Sequence, residues 1–318
     1  MAQGAGPRMA VPRPCVLDHA VALQLGRHSL ISEASSPLTS GVAALRGIRR
    51  VVASSGSAST AAVLTCIYLY ARLQSGRGYL GRENADRSGL RSWLASTALA
   101  RHSMRFHMRD GSSVRCRIVD AGALLSVHVD RDYDAPGTDW SVARAIVDIG
   151  AHVGSFAVWA AQRSPKARLL AVEPNPETFE LLTQNIRDNR LEGRVCAVNA
   201  AVGAAEGVGR LDLVAHSLGT RLARAEEGHL SVRVQTLPGL LAEAGIEEVD
   251  VLKIDCEGME YAVLEAISPE FLRRIGVLTC EYHPEPGHDV QELDAVLRAA
   301  GFRVERPNTE LGVLWAMR

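Results

Sequence analysis

Four charged residues, Lys253, Asp255, Glu257 and Glu260, crowd the end of the apolar run VDVLKID, and Glu281 and His283 follow the next run, GVLTCEY. Charge at the end of a buried run costs free energy unless it is paired or liganded, and carboxylates of shifted proton affinity gather at functional sites. Asp255 or His283 is of the right type to accept a hydroxyl proton, with Glu257 and Glu281 orienting the group that loses it. A purely structural reading stands beside this one: Lys253 pairs with Asp255 or Glu281, and Glu257 sits at a helix N-terminus. Lys253 and Lys166 are the only lysines in a chain whose other cations are arginines. No metal is required by these residues, although Asp255, Glu281 and His283 offer the donors of an oxygen and nitrogen cation site.

A second constellation precedes it. The run AIVDI leads into Gly150, Ala151, His152, Val153 and Gly154, a glycine-bounded turn before the helical stretch that starts at Ser155. Side chains at Gly150 and Gly154 would fill space that a ligand could use, and Asp148 is suited to bond turn amides or a ligand ammonium group. Glu173, in AVEPNP at the end of the next run, is positioned to accept hydrogen bonds from the ribose hydroxyls of an adenosine, with Pro174 and Asn175 fixing the chain beyond it. Ala200 and Ala201, at the end of the third run, would border the adenine.

The residues that are missing narrow the ligand. A dinucleotide fold wants G-x-G-x-x-G, and His152 stands where the second glycine would be; a phosphate loop wants Gly-Lys-Ser/Thr, which does not occur here. S-adenosylmethionine carries no phosphate and needs neither, so it is the expected cofactor. A nicotinamide-dependent oxidoreductase is disfavoured on the same ground, and a non-catalytic adenosylmethionine-binding protein is an alternative.

The segments VDIGAHVGSF, AVEPNPETFELLTQNIRDN, VLKIDCEGMEYAVL and LTCEYHP resemble the FkbM methyltransferases, whose motifs read D-I-G-A-N-x-G, E-P-x-P, K-I-D-x-E-G-x-E and E-x-H. The likeness runs from about Arg105 to Trp315. It implies a Rossmann-like class I methyltransferase fold and methyl transfer from S-adenosylmethionine to a hydroxyl of a small molecule, a secondary metabolite or a sugar. His152 departs from the Asn common at that position.

The elements that must hold these residues follow from hydrophobic periodicity. Strands AIVDI, ARLLAVE, RVCAVNA, VDVLKID and GVLTCEY alternate with helices Ser155–Gln162, Pro176–Asp188, Leu237–Ala244, Glu257–Ile267 and Val290–Ala300, and FRVER with GVLWAM closes as a hairpin. This is an α/β pattern: a mostly parallel seven-stranded sheet with helices on both faces and an antiparallel C-terminal hairpin. GRLDLVA and LSVRVQT form an extra antiparallel pair around the polar segment HSLGTRLARAEEGH, a substrate loop or a solvated hairpin. Asp110-Gly111 marks a further hairpin turn.

Residues 1–50, rich in Ala, Gly, Pro, Ser and Arg, read as a flexible arm. Residues 51–103 read as a helical appendage, with helices at Ala61–Leu73 and Leu90–Ala100, and 104–318 as the methyltransferase domain. Within 318 residues, 47% hydrophobic with a formal net charge of -1, there is no excess positive field for nucleic acid. The N-terminus shows no signal-peptide pattern, and the serines of 51–71 argue against membrane contact there, so the expected location is cytoplasmic. The six cysteines lack metal or disulfide spacing and read as reduced, mostly buried thiols.

Overall fold

The computed structural model describes residues 37–75, 102–212, 221–222, 230–283, 285–308 and 312–318. Five short apolar runs become parallel neighbours: β3 (Ala145–Ile149), β4 (Arg168–Val172), β5 (Val195–Val198), β10 (Val249–Ile254) and β11 (Ile275–Glu281). With β12 (Arg303–Asn308) and β13 (Val313–Met317), they form a seven-stranded sheet in the order β12-β13-β11-β10-β3-β4-β5, in which β13 runs antiparallel to both of its neighbours. The sequence therefore anticipates both the mixed sheet and its closing hairpin. Chain order reverses between β3 and β10, which makes their carboxyl ends the crevice where open α/β sheets bind ligands.

Both faces are covered. Ile146, Leu169 and Val251 join a core with the helices α3 (Ser155–Arg163) and α4 (Pro176–Asp188); Val147, Ile149, Leu170 and Leu252 join the opposite core with α5 (Leu237–Ala244), α6 (Glu260–Glu265) and α8 (Val290–Ala299). The alternation along each strand is the period-two pattern of a sheet buried on both sides. Helix starts are chemically marked: Asn175 accepts from the Glu177 amide ahead of α4, Thr236 from the Gly239 amide ahead of α5, and Asp289 from the Gln291 amide ahead of α8. Ser268 does the same for the short helix α7 (Pro269–Leu272).

The hairpin at Asp110-Gly111 joins β1 (Ser103–His107) to β2 (Ser113–Arg117). The second antiparallel pair is β7 (Gly207–Asp212) with β9 (Leu230–Gln235), extended by β6 (Ala201–Val202) and β8 (Arg221–Leu222) into a separate four-stranded sheet. Most of the intervening polar segment, and the helix expected at Leu90–Ala100, lie outside the described residues.

Three expectations are corrected. Helix α1 (Pro37–Ser54) begins inside the segment read as an arm, and α2 (Ala58–Ser75) begins ahead of the expected Ala61. Val51, Leu64 and Tyr68 give these helices an apolar side that shares a core with Phe106, Met108 and Val114, so tertiary burial holds a helix that local sequence does not announce. Cys116 and Cys280 are buried but Cys66 and Cys196 are exposed; on a half-covered helix and on an edge strand, a thiol faces outward at no great cost. Finally, the helix expected from Glu257 begins at Glu260, for a reason given by the site. The chain divides into two units, Met1–Ser40 and Gly41–Arg318, and all three sheets belong to the second. Among the described residues, no helix is long and apolar enough to cross a membrane.

Candidate active site

Asp148 and Lys253 are in-register partners on β3 and β10, so their side chains leave the same face of the sheet. Lys253 Nζ lies 3.0 Å from Asp148 Oδ1 and donates to the carbonyls of Gly150 at 2.9 Å and Ile149 at 3.3 Å. Three protons meet three acceptors. This corrects two expectations: the principal partner of Lys253 is Asp148 rather than Asp255, which is 3.8 Å away, or Glu281, and Asp148 holds Lys253 rather than turn amides. Burial alone lowers the proton affinity of Lys253, but the carboxylates of Asp148, Asp255 and Glu281 override it and the ammonium is held above its ordinary value. Burial raises Asp148, against the opposing pull of Lys253.

Above this pair the glycine turn is tied to the end of β4. Gly150 N and Ala151 N both donate to Val172 O, Gly154 N donates to Ala151 O, and His152 N donates to Glu173 Oε2 at 2.8 Å. The glycines serve internal contacts: with φ 71°, Gly150 lies where a Cβ would come within 1.7 Å of the Asp255 carbonyl, and at Gly154, φ 82°, a Cβ would strike Leu182 of α4 at 2.5 Å. The space reserved by these glycines is thus filled by the protein's own chain. His152 has φ 53°, a left-handed backbone that Asn and His adopt more readily than most residues. That backbone demand accounts for His standing where Asn is common. Burial keeps the His152 imidazole below its ordinary proton affinity, and its Nε2 lies 3.7 Å from Asp120, a buried acid bound to Arg117.

Glu173 ties this turn to α4. Its Oε1 accepts from Asn175 N at 2.9 Å and Thr178 Oγ1 at 2.8 Å, and burial pushes its proton affinity up to about 6. Asn199 Nδ2 donates to the carbonyls of Glu173 and Pro174. Ala200 and Ala201 are buried, the latter opening β6.

The motif after β10 resolves into one folded turn. Glu260 accepts from Cys256 N at 3.0 Å through Oε1 and from Gly258 N at 2.9 Å through Oε2, and its Oε1 meets His283 Nδ1 at 2.8 Å. Drawing those amides onto Glu260 delays the helix, and Glu257 lies in the turn at φ 54° with its carboxylate 3.2 Å from His283 Nε2. Glu281 is 3.9 Å from the same nitrogen. Burial lowers His283, but the bond to Glu260 and the charges of Glu257, Glu260 and Asp255 outweigh it and raise its proton affinity to about 10. The imidazole is therefore an imidazolium at neutral pH. Of the two residues considered as proton acceptors, Asp255 alone has the capacity. Asp255, Glu260 and His283, rather than Asp255, Glu281 and His283, bring donor atoms within 4.8 Å of one another, and Glu260 spends its oxygens on the turn.

Sequence reasoning missed Tyr133, whose hydroxyl lies 2.9 Å from Asp255 Oδ2 and 2.6 Å from Glu281 Oε2. Its ring stacks edgewise on Phe156 at 5.8 Å, and Lys253 Nζ lies 5.1 Å from its centre. No periodicity surrounds Tyr133; an aromatic in a polar stretch was the only signal.

Residues 148–304 match the methyltransferase FkbM domain. This part of the chain is an FkbM methyltransferase domain. The chain is 27% identical over 208 residues to 31-O-demethyl-FK506 methyltransferase FkbM of Streptomyces tacrolimicus, covering 56% of this chain and 80% of that one. With methyltransferase sdnD of Sordaria araneosa it shares 25% over 197 residues, covering 52% and 76%. A crystal structure of methyltransferase FkbM from Methylobacillus flagellatus superposes with a TM-score of 0.40 at 13% identity, covering 63% of this chain and 54% of that one. The match begins at Asp148 and includes the glycine turn, Glu173 and the whole of the Lys253–His283 constellation of this FkbM methyltransferase.

Proposed function

We propose that this FkbM methyltransferase moves the methyl group of S-adenosylmethionine onto a hydroxyl of a small molecule, with Asp255 accepting the hydroxyl proton. The observation that carries this reading is the contact of Gly150 with the Asp255 backbone, which joins the turn suited to the cofactor to the carboxylate suited to the acceptor.

The donor set fits a ligand without phosphate. The amides of Gly150, Ala151, His152 and Gly154 are spent on Val172 of β4, on Glu173 and within the turn, whereas a pyrophosphate loop presents its amides to the ligand. Glu173, Asp148 and the turn residues Ala151 and His152 would hold the adenosine end. When bound, the cofactor supplies a methyl group on a cationic sulfur that departs with the carbon–sulfur electron pair. Leaving Glu281 aside, four carboxylates, Asp148, Asp255, Glu257 and Glu260, face two cations, Lys253 and His283, a surplus that favours a cationic ligand.

In-line displacement gains chiefly from holding acceptor oxygen and methyl carbon in line. Asp255 takes the proton as the oxygen attacks, while Glu257, oriented by His283, and Glu281, bound to Tyr133, position the acceptor. Support for an oxygen acceptor comes from the relative named 31-O-demethyl-FK506 methyltransferase. Calorimetry with S-adenosylmethionine and with NADH, followed by incubation of the protein and methyl-labelled cofactor with an extract of the source cell, tests the reading. Binding of the first ligand alone, with label entering a base-stable small molecule, is the expected result. Binding of NADH instead overturns it, and binding without label transfer to any acceptor favours a non-catalytic role.

A further inference from the structure

We propose that Tyr133 is a positioning residue that keeps Asp255 ionised by sharing an extra proton held on Glu281. This rests on the reading of Asp255 as the proton acceptor. The Tyr133 hydroxyl stands 2.9 Å from one carboxylate oxygen and 2.6 Å from another. A phenol has one proton to donate. One phenol proton cannot point linearly at both oxygens, and a proton split between two carboxylates binds each of them weakly, so two contacts this short are best satisfied by a second proton. The phenol supplies one, and a carboxyl group supplies the other.

Burial decides which carboxyl. The Glu281 side chain is 4% exposed and that of Asp255 is 20% exposed, and desolvation penalises the charged form more at the more buried group. Cations favour the same choice: Asp255 has Lys253 Nζ at 3.8 Å and a His283 nitrogen within 4.8 Å, and Glu281 has His283 Nε2 at 3.9 Å. The protonated Glu281 therefore donates to the Tyr133 oxygen, and Tyr133 donates to the Asp255 carboxylate. Lys253 spends its protons on Asp148 and two carbonyls, whereas the phenol bonds Asp255 directly.

The phenol is held in place. Trp315 Nε1 donates to the carbonyl of the preceding residue, Asp132, at 2.7 Å, and Phe156 packs edgewise on the ring. Among the described residues, the other titratable groups that face the trio are Asp148 and Lys253 from β3 and β10, His152 from the glycine turn, Cys256 and Glu257 from the turn after β10, Glu260 from the start of α6, and Cys280 and His283 from β11 and its exit. Burial holds both thiols well above their ordinary range, so they stay neutral. In turnover the acceptor O–H bond breaks, its proton passes to the Asp255 carboxylate, and it then leaves to water on the exposed side of that residue. Glu281 and Tyr133 keep their protons throughout.

Infrared difference spectra of the full chain at about pH 8, where Glu173 is ionised, test this without an acceptor. The expected result is a protonated-carboxyl C=O band in the parent that disappears in E281Q, persists in D255N and shifts in Y133F, where its hydrogen-bond acceptor is gone. A band that survives E281Q and disappears in D255N overturns the proposal, as does a band indifferent to Y133F. If E281Q does not fold, the D255N and Y133F spectra still decide it. Failure of the base reading is a separate outcome, seen as retained methyl transfer by D255N.

Discussion

Gly150 and Asp255 meet through their backbones: a Cβ on Gly150 would lie 1.7 Å from the Asp255 carbonyl oxygen. The contact lies at the switch point between β3 and β10, so the glycine is fixed by the neighbouring strand end as well as by its own left-handed conformation. Gly150→Ala is expected to lose about 2–4 kcal/mol, combining backbone strain with displacement of the Asp255 turn. Denaturant unfolding measures it; a loss near zero would mean that the turn is free to move.

Lys253 and Asp148 form a buried pair in which neither has a solvent-exposed alternative. Removing one partner strands the other, so Lys253→Met is expected to destabilise the fold by about 3–5 kcal/mol. The double variant K253M/D148N should recover part of that loss in the same unfolding measurement. Additive losses would show that the pair does not act as a unit.

His152 owes its identity to backbone conformation. His152→Asn is expected to leave stability within about 0.5 kcal/mol of the parent, while His152→Val, β-branched at φ 53°, should cost about 1–3 kcal/mol. Thermal unfolding of the two variants separates this account from one in which the imidazole itself is needed for folding.

His283 sets a pH window. Its proton affinity is raised above the unfolded value of 6.5 to about 10, so its contribution to stability is fully present below about 6.5 and is lost as pH rises through about 10. Melting temperatures followed from neutral to strongly alkaline pH should show a falling component in the parent that His283→Gln lacks. Parallel curves would contradict the imidazolium assignment.

Much of this arrangement is legible in the sequence because it is local. Helices α4 and α5 match their expected bounds, since Asn175 with Pro176 and Thr236 with Pro238 write their starts into the chain. The clustering of Lys253, Asp255, Glu257, Glu281 and His283 follows from two adjacent strand ends. What sequence leaves open is which charge meets which. Lys253 choosing Asp148 depends on β3–β10 register, and the late start of α6 depends on Glu260 folding back onto two amides. Tyr133 reaches Asp255 from 122 residues away, through a loop with no periodic signal. The first turns of α1 lack charged caps or a strong polar pattern, and only the burial of Val51 against β1 and β2 makes that helix intelligible.

The central claim is that Asp255 takes the acceptor proton beside a cofactor that other residues bind. Asp255→Asn and the parent should be compared for S-adenosylmethionine affinity by calorimetry and for methyl transfer from labelled cofactor into a source-cell extract. A change in Kd of less than about threefold, with transfer falling by about 10²–10⁴, is the expected result. Transfer at the parental rate, or loss confined to cofactor binding, would contradict it.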